Sequence, residues 1–195
     1  AFETRPSLLE RVKDLNDIQA WTYFYDFYTP LILRFSLSKG CNQSMAQDVL
    51  QESMMHLIKK LPSFEYDARI GKFRSYLFRI VHCRILDTFR REKRLCLNSG
   101  TWFDRQEDTR LDRPDDAWNT LWDQNLLQTA LSRVKGKVRP RTFESFRLYV
   151  LEEKSASEVM HVLNIKQKNA VYQHKNRVLH MLKKEIQLLE TELGA

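Results

Sequence analysis

Glycine and proline are scarce in this chain, five of each in 195 residues. Gly40, Gly71, Gly100, Gly136 and Gly194 fall where other signals already end an element, which leaves long glycine-free stretches rich in Leu, Lys, Arg, Glu and Gln, the composition of helix. Cysteine is sparse as well. Cys41, Cys83 and Cys96 are odd in number and form no Cys-x-x-Cys pair, so neither a disulfide framework nor a zinc knuckle is encoded. His56, His82, His161, His174 and His180 include no His-x-x-x-His pair and read as exposed or half-buried helix residues. No apolar run approaches the ~18 to 20 residues that span a bilayer, and the opening AFETRPSLLERVKD lacks the continuous apolar stretch of a signal peptide, so a cytoplasmic location is expected. A phosphate-binding glycine loop, convincingly spaced metal-binding carboxylates and a nucleophile beside a base are all missing. No catalytic residue, cofactor or metal is therefore expected.

What the chain does have is helix-forming sequence and positive charge in blocks. With 43% hydrophobic residues it has enough apolar material for one medium core or two small ones. The net charge of +7 is unevenly spread. Residues 72–95 hold 8 basic and 2 acidic groups, and residues 126–184 hold 13 and 4, whereas the intervening 96–125 hold 3 and 7. Two basic modules flanking an acidic connector suggest contact with a polyanion.

The expected fold class is all-α. Helices are read near 7–15, 17–39, 44–60, 73–95, 119–134, 141–152, 155–163 and 168–190, and no strand is needed. Ser7 with Glu10, Ser44 with Gln47 and Ser155 with Glu158 have the spacing of capping boxes. Pro30 should kink the second helix or restart it with Thr29 as cap. Residues 96–118, CLNSGTWFDRQEDTRLDRPDDAW, lack helical periodicity and read as an acidic flexible linker. The linker divides the chain into helical domains at 1–95 and 119–195.

The stretch SASEVMHVLNIKQKNAVYQHKNRVLHMLKK, residues 155–184, has the layout of a helix-turn-helix. A short capped helix is followed by a turn at Asn164, a residue type that tolerates the left-handed conformation, and then by a helix crowded with hydrogen-bond donors. Val159, Val162, Leu163, Ile165, Val171, Val178 and Leu182 supply the inner faces, while Lys168, Asn169, Tyr172, Gln173, Lys175, Asn176 and Arg177 are expected to point away. Asn, Gln, Lys and Arg are the side chains that pair with base edges in a major groove and neutralise phosphates. The basic run KGKVRPR, which includes Arg141, precedes this segment.

FRSYLFRIVHCRILDTFRREKR, residues 73–94, mixes arginine with bulky apolar residues for six turns. Phe73, Leu77, Ile80, Val81, Ile85 and Phe89 cover much of its circumference. One stripe remains, formed by Tyr76, Arg79, Cys83, Arg90 and Arg94 at steps of three, four or seven. An aromatic ring beside guanidinium groups suits a single strand whose bases stack while its phosphates are held. A membrane-surface helix would show a cleaner apolar half than one interrupted by Arg74, Arg84 and Asp87. In 44–60, Ala46, Val49, Leu50, Leu57 and Leu61 form the buried face, and Asp48, Gln51, Glu52, Met55 and Lys59 form the opposite one. An exposed Met among carboxylates suggests a protein partner.

The string AQDVLQESMMHLIKKLPSFEYDARIGKFRSYLFRIVHCRILDTFRR resembles region 2 of bacterial RNA polymerase sigma factors of the sigma-70 class, in particular the small two-domain extracytoplasmic-function kind. WTYFYDFYTPLI looks like the leading helix of that region, and the C-terminal helix-turn-helix resembles region 4. The resemblance implies that Asp48, Gln51, Glu52 and Met55 dock on the clamp helices of the polymerase largest subunit, with region 4 meeting the flap of the second-largest subunit. It further implies that Phe64, Tyr66, Lys72, Tyr76, Arg79, Cys83 and Arg90 engage the promoter minus-10 element. Region 4 would read the minus-35 element through Arg141, Lys168, Asn169, Tyr172, Gln173, Asn176 and Arg177. The acidic linker would thread the basic channels of the polymerase, and an anti-sigma factor or another recruiting partner would fit such a protein. Two departures from the family stand out. Cys83 occupies the usual position of an Asn, and the turn NIKQKNA is one residue longer than usual. The competing reading is a helix-turn-helix operator-binding regulator with an N-terminal dimerisation or sensing bundle, which leaves the basic aromatic stripe and the acidic linker without a role.

Overall fold

The computed structural model describes residues 7–63, 72–99 and 114–193, and among them there is helix and no strand. In order the helices are α1 (Leu8–Arg11), α2 (Ile18–Ser38), α3 (Gln43–Lys60), α4 (Phe73–Ser99), α5 (Asp116–Lys137), α6 (Pro140–Phe146), α7 (Ala156–Leu163) and α8 (Lys168–Glu192). A 3-10 turn at Leu61–Ser63 follows α3, and a π-helical segment at Arg147–Leu151 follows α6. The chain divides into two compact units, residues 1–125 with 191–195, and residues 126–190.

In the first unit α3 packs on both α2 and α4, so α3 and α4 each keep one face toward the core and one toward solvent. Phe24, Tyr28, Phe35, Phe73 and Phe78 are fully enclosed. Trp118 joins them. Its ring lies 5.0 Å from that of Phe35 and 5.7 Å from that of Phe78, both edge-on, an arrangement that adds to the energy of area burial. Trp122 sits one helical turn later against Phe27 and Tyr28, and Asn125 Nδ2 donates to the Phe27 carbonyl at 2.8 Å. Asp115 caps the start of α5 by accepting from the Trp118 N–H at 2.8 Å, and it also pairs with Lys39.

These contacts correct the expectation that residues through 118 form a linker, because Trp118 is a core residue with no exposed surface. They also explain why the chain divides inside α5 and not ahead of residue 119. Trp118, Trp122 and Asn125 recur at one-turn intervals and bind the first part of α5 to the first unit. Residues 100–113, the rest of the expected linker, lie outside the described residues.

Other local expectations resolve differently. The first helix is a single turn: Ser7 accepts from the Glu10 N–H, while the Glu10 carboxylate pairs with Lys13. Pro30 lies inside an uninterrupted α2 whose cap is Asp17, so no restart occurs at Thr29. The carbonyl that Pro30 deprives of a donor belongs to Asp26, an exposed residue, where water can serve it. Ser44 does not cap α3. Asn42 accepts from the Met45 N–H at 2.9 Å and starts the helix two residues earlier. His82 is buried, stacked on Phe78 at 5.5 Å, in contrast to the exposed or half-buried position expected.

In the second unit Leu148, Ala156, Val159, Ile165 and Val171 form a small core. Both halves of the capping box at Ser155 and Glu158 are present, with the Ser155 N–H donating to Glu158 Oε2 at 2.8 Å, and this hydrogen bonding draws the Glu158 carboxyl below its usual range. Asn164 adopts the left-handed conformation, φ 49° and ψ 48°, at the end of α7. Val162, expected inside, is 56% exposed. Tyr172, expected to point away, instead packs half-buried against the core, its ring 5.8 Å from that of Tyr149. Glu185 is buried between the ammonium of Lys137 and the guanidinium of Arg133, and this ion pair links α5 and α8.

Two consequences are measurable. Trp118→Ala should lower unfolding stability by ~3 to 5 kcal/mol in denaturant titration; a solvated linker residue would give no change. Glu153 has a positive φ of 54° between the π segment and α7. That conformation strains a side-chain-bearing residue by ~1 to 2 kcal/mol, while glycine's extra entropy loss is about half as large. Glu153→Gly should therefore raise stability by about 1 kcal/mol and shift the thermal midpoint upward.

Candidate nucleic-acid interface

Helix α4 holds the first group of functional side chains. Its inner side is set by Phe73, Leu77, Phe78, Ile80, Val81 and Ile85, all buried, so the side chains between them are turned outward by the 100° step of the helix. Arg79, Cys83, Arg90 and Arg94 are exposed, and Tyr76 is half-buried. The Tyr76 ring lies 5.9 Å from that of Phe73, and burial pushes its hydroxyl above the usual range, which keeps it neutral. Cys83 carries a free, exposed thiol. The expected ridge thus exists as one surface from Tyr76 to Arg94. Lys72, just ahead of the helix, is exposed, whereas Phe64 and Tyr66 lie outside the described residues.

The charges of α4 are not all bare. Asp87 pairs with Arg84 at 3.3 Å and with Arg90 at 3.4 Å, and Arg91 Nη2 reaches Glu52 Oε1 on α3 at 2.7 Å. Arg74 lies over the ring of Trp122 at 5.4 Å, donates to Asn119 and faces Asp123 at 3.8 Å. That position leaves it a structural role on the core side. The His56 imidazole stays below its usual range, first through burial and then through the charges of Arg84, Lys60 and Lys59. Its surroundings therefore favour the uncharged imidazole.

Helix α3 presents a surface of different character. Ala46, Val49, Leu50 and Leu57 are buried, as is Leu61 just beyond its end. Asp48, Gln51, Met55 and Lys59 are exposed, and Glu52 is partly covered by its pairing with Arg91. Met55 is 48% and Ile58 43% exposed, so two apolar side chains one turn apart stand beside the carboxylates. Ile58 was not singled out from the sequence; its i+3 spacing from Met55 is the signal that marks it.

The second unit carries the other donor-rich surface. Lys168, Asn169, Gln173, Asn176 and Arg177 are exposed along the first part of α8, while Val171, Val178 and Leu182 face inward. Tyr172 is turned partly into the core, and Lys175 lies 5.8 Å from the Tyr149 ring. Arg141 is exposed at the start of α6 and donates to the carbonyls of Leu163 and Asn164. A cleft of about 410 Å³ opens between Arg141, Asn164, Lys166 and His174 at the start of α8. His174 is held below the usual imidazole range, first by burial and then by the charges of Arg141 and Arg177.

Comparison with known proteins bears on the same helices. The family model for Sigma-70 region 2 matches residues 24–95, which run from within α2 through α3 and most of α4. The ECF RNA polymerase sigma factor SigM of Bacillus subtilis (strain 168) is similar at 25% identity over 154 residues, covering 74% of this chain and 82% of that relative. No helix among the described residues is long and apolar enough to cross a membrane. Residues 24–95 are thus similar to Sigma-70 region 2, and the chain as a whole is similar to an extracytoplasmic-function sigma factor.

Proposed function

We propose that this chain is a sigma factor that joins core RNA polymerase and directs it to promoters carrying minus-10 and minus-35 elements. The observation that carries the reading is the division of labour between two neighbouring helices of the region 2 match. α3 exposes Asp48, Gln51, Met55 and Ile58, a mixed apolar and acidic surface suited to a protein partner, while α4 exposes Arg79, Cys83, Arg90 and Arg94. An operator-binding regulator that dimerises through the first of these surfaces leaves the arginine ridge of α4 without a role.

In this reading Asp48, Gln51, Glu52 and Met55 dock on the clamp helices of the largest subunit, and the second unit meets the flap of the second-largest. Tyr76, Arg79, Cys83 and Arg90, with Lys72, hold the minus-10 strand as it separates. Lys168, Asn169, Gln173, Asn176 and Arg177 read the minus-35 duplex. The energetics assign the opening itself to the complex. Extruding a base costs a few kcal/mol and stacking it on an aromatic ring returns ~1 to 3 kcal/mol, so one captured base about breaks even. Sustained melting therefore requires the polymerase.

Charge reversal separates the two surfaces. Asp48→Arg should reduce retention of the chain on core polymerase at least tenfold while leaving its affinity for naked DNA unchanged or slightly raised. Equal losses on both partners would refute the division. Lys168→Ala and Arg177→Ala should each weaken duplex binding and flatten its log–log salt dependence by ~0.9 for every phosphate that is no longer neutralised. Duplex binding that salt does not alter would remove these side chains from the interface.

A further inference from the structure

Arg141 uses one nitrogen twice. Its Nη2 lies 2.6 Å from the Leu163 carbonyl oxygen and 2.7 Å from that of Asn164. A guanidinium Nη carries two hydrogens, so this atom's donor capacity is consumed within the protein. The two carbonyls belong to the last residue of α7 and to its left-handed cap, and a helix end leaves such carbonyls without intrahelical donors. Backbone groups serve two more carbonyls of this end: the Asn164 N–H donates to the His161 carbonyl at 3.4 Å and the Ile165 N–H to that of Met160 at 2.9 Å. A cation at this end also complements the negative pole of the helix dipole.

Asn164 leads into residues 165–167, the short connection from which α8 starts. Arg141 stands on α6, so its two bonds tie the start of one helix to the turn between two others. It is also close enough to α8 for its charge to contribute to the lowered titration of His174. Nη1 and Nε remain as donors, so the salt dependence of binding separates an Arg141 that only holds the turn from one that also meets a phosphate.

We propose that Arg141 is a positioning residue of the DNA-reading surface: by holding the Leu163 and Asn164 carbonyls it fixes the turn that aims α8, and it does not serve as a phosphate contact. The inference rests on α8 reading duplex DNA, but the contact with the turn exists in the chain without DNA and is testable there. A lysine at 141 keeps the charge and several donors on one nitrogen, so Arg141→Lys retains part of the function, whereas Arg141→Met retains none of it.

The test uses the full chain as wild type, Arg141→Met, Arg141→Lys and Lys168→Ala. Amide hydrogen exchange of residues 164–167 is read without DNA, and the salt dependence of affinity is read on a short mixed-sequence duplex. Exchange in the turn should quicken several-fold in Arg141→Met and less in Arg141→Lys, with exchange in the middle of α8 unchanged, which excludes general unfolding. Duplex affinity of Arg141→Met should fall while its log–log salt slope stays at the wild-type value. Lys168→Ala should flatten that slope by ~0.9. Wild-type exchange rates in the turn of Arg141→Met, or a slope flattened as in Lys168→Ala, would overturn the proposal. If the wild-type chain binds no duplex, the reading of α8 fails, and the exchange measurement alone decides whether Arg141 holds the turn.

Discussion

The arrangement depends on the cost of burying a guanidinium. α4 is surrounded by aromatic and aliphatic neighbours on its inner side, where Phe73, Leu77, Phe78 and Val81 have no exposed surface. A charged group in that environment would require pairing and hydrogen bonding to offset its desolvation. Arg79, Arg90 and Arg94 therefore stand outside, and the helix geometry lines them up with Tyr76 and Cys83. The exposed ridge follows from the packing. Arg74 shows the same rule from the other side: turned toward the core, it is met by Trp122, Asn119 and Asp123.

The elements with strong periodicity and strong caps were legible from residues alone. The buried face of α3 and the ridge of α4 follow from the 3.6-residue repeat, and the Ser155–Glu158 box with the turn at Asn164 follows from local backbone chemistry. What escaped depends on contacts between residues distant in the chain. Trp118 sits just behind Asp115 and one turn before Trp122, a helix-start pattern in itself, but the acidic residues ahead of it place it in the expected linker, with Trp122 in the helix that follows. Nothing local says that Phe35 and Phe78 wait for that ring. Val162 and Tyr172 exchanged expected positions for a related reason: the burial of the two-turn α7 and of the start of α8 is decided by Leu148 and Tyr149 of the π segment beside them.

The ion pair between Glu52 and Arg91 joins the two faces of region 2 and was also invisible to a helix-by-helix reading. Both partners are partly exposed, and pairs of this kind contribute ~0 to 1 kcal/mol. Its interest is functional placement: one partner stands on the surface proposed for polymerase, the other among the arginines proposed for DNA. With Asp87 neutralising part of Arg84 and Arg90, the chain by itself offers a weaker cationic field than its count of arginines suggests. A modest intrinsic affinity for DNA is expected, in keeping with the proposed action within a larger assembly.

The most direct measurement is transcription in vitro from a mixture of genomic fragments, with the core polymerase of the chain's own host, in the presence and absence of this protein. The expected result is a stable complex and transcripts that begin at defined positions only when the protein is present, downstream of a shared pair of sequence elements. Failure to associate with core polymerase, or transcripts whose starts are indifferent to the protein, would contradict a role in promoter selection.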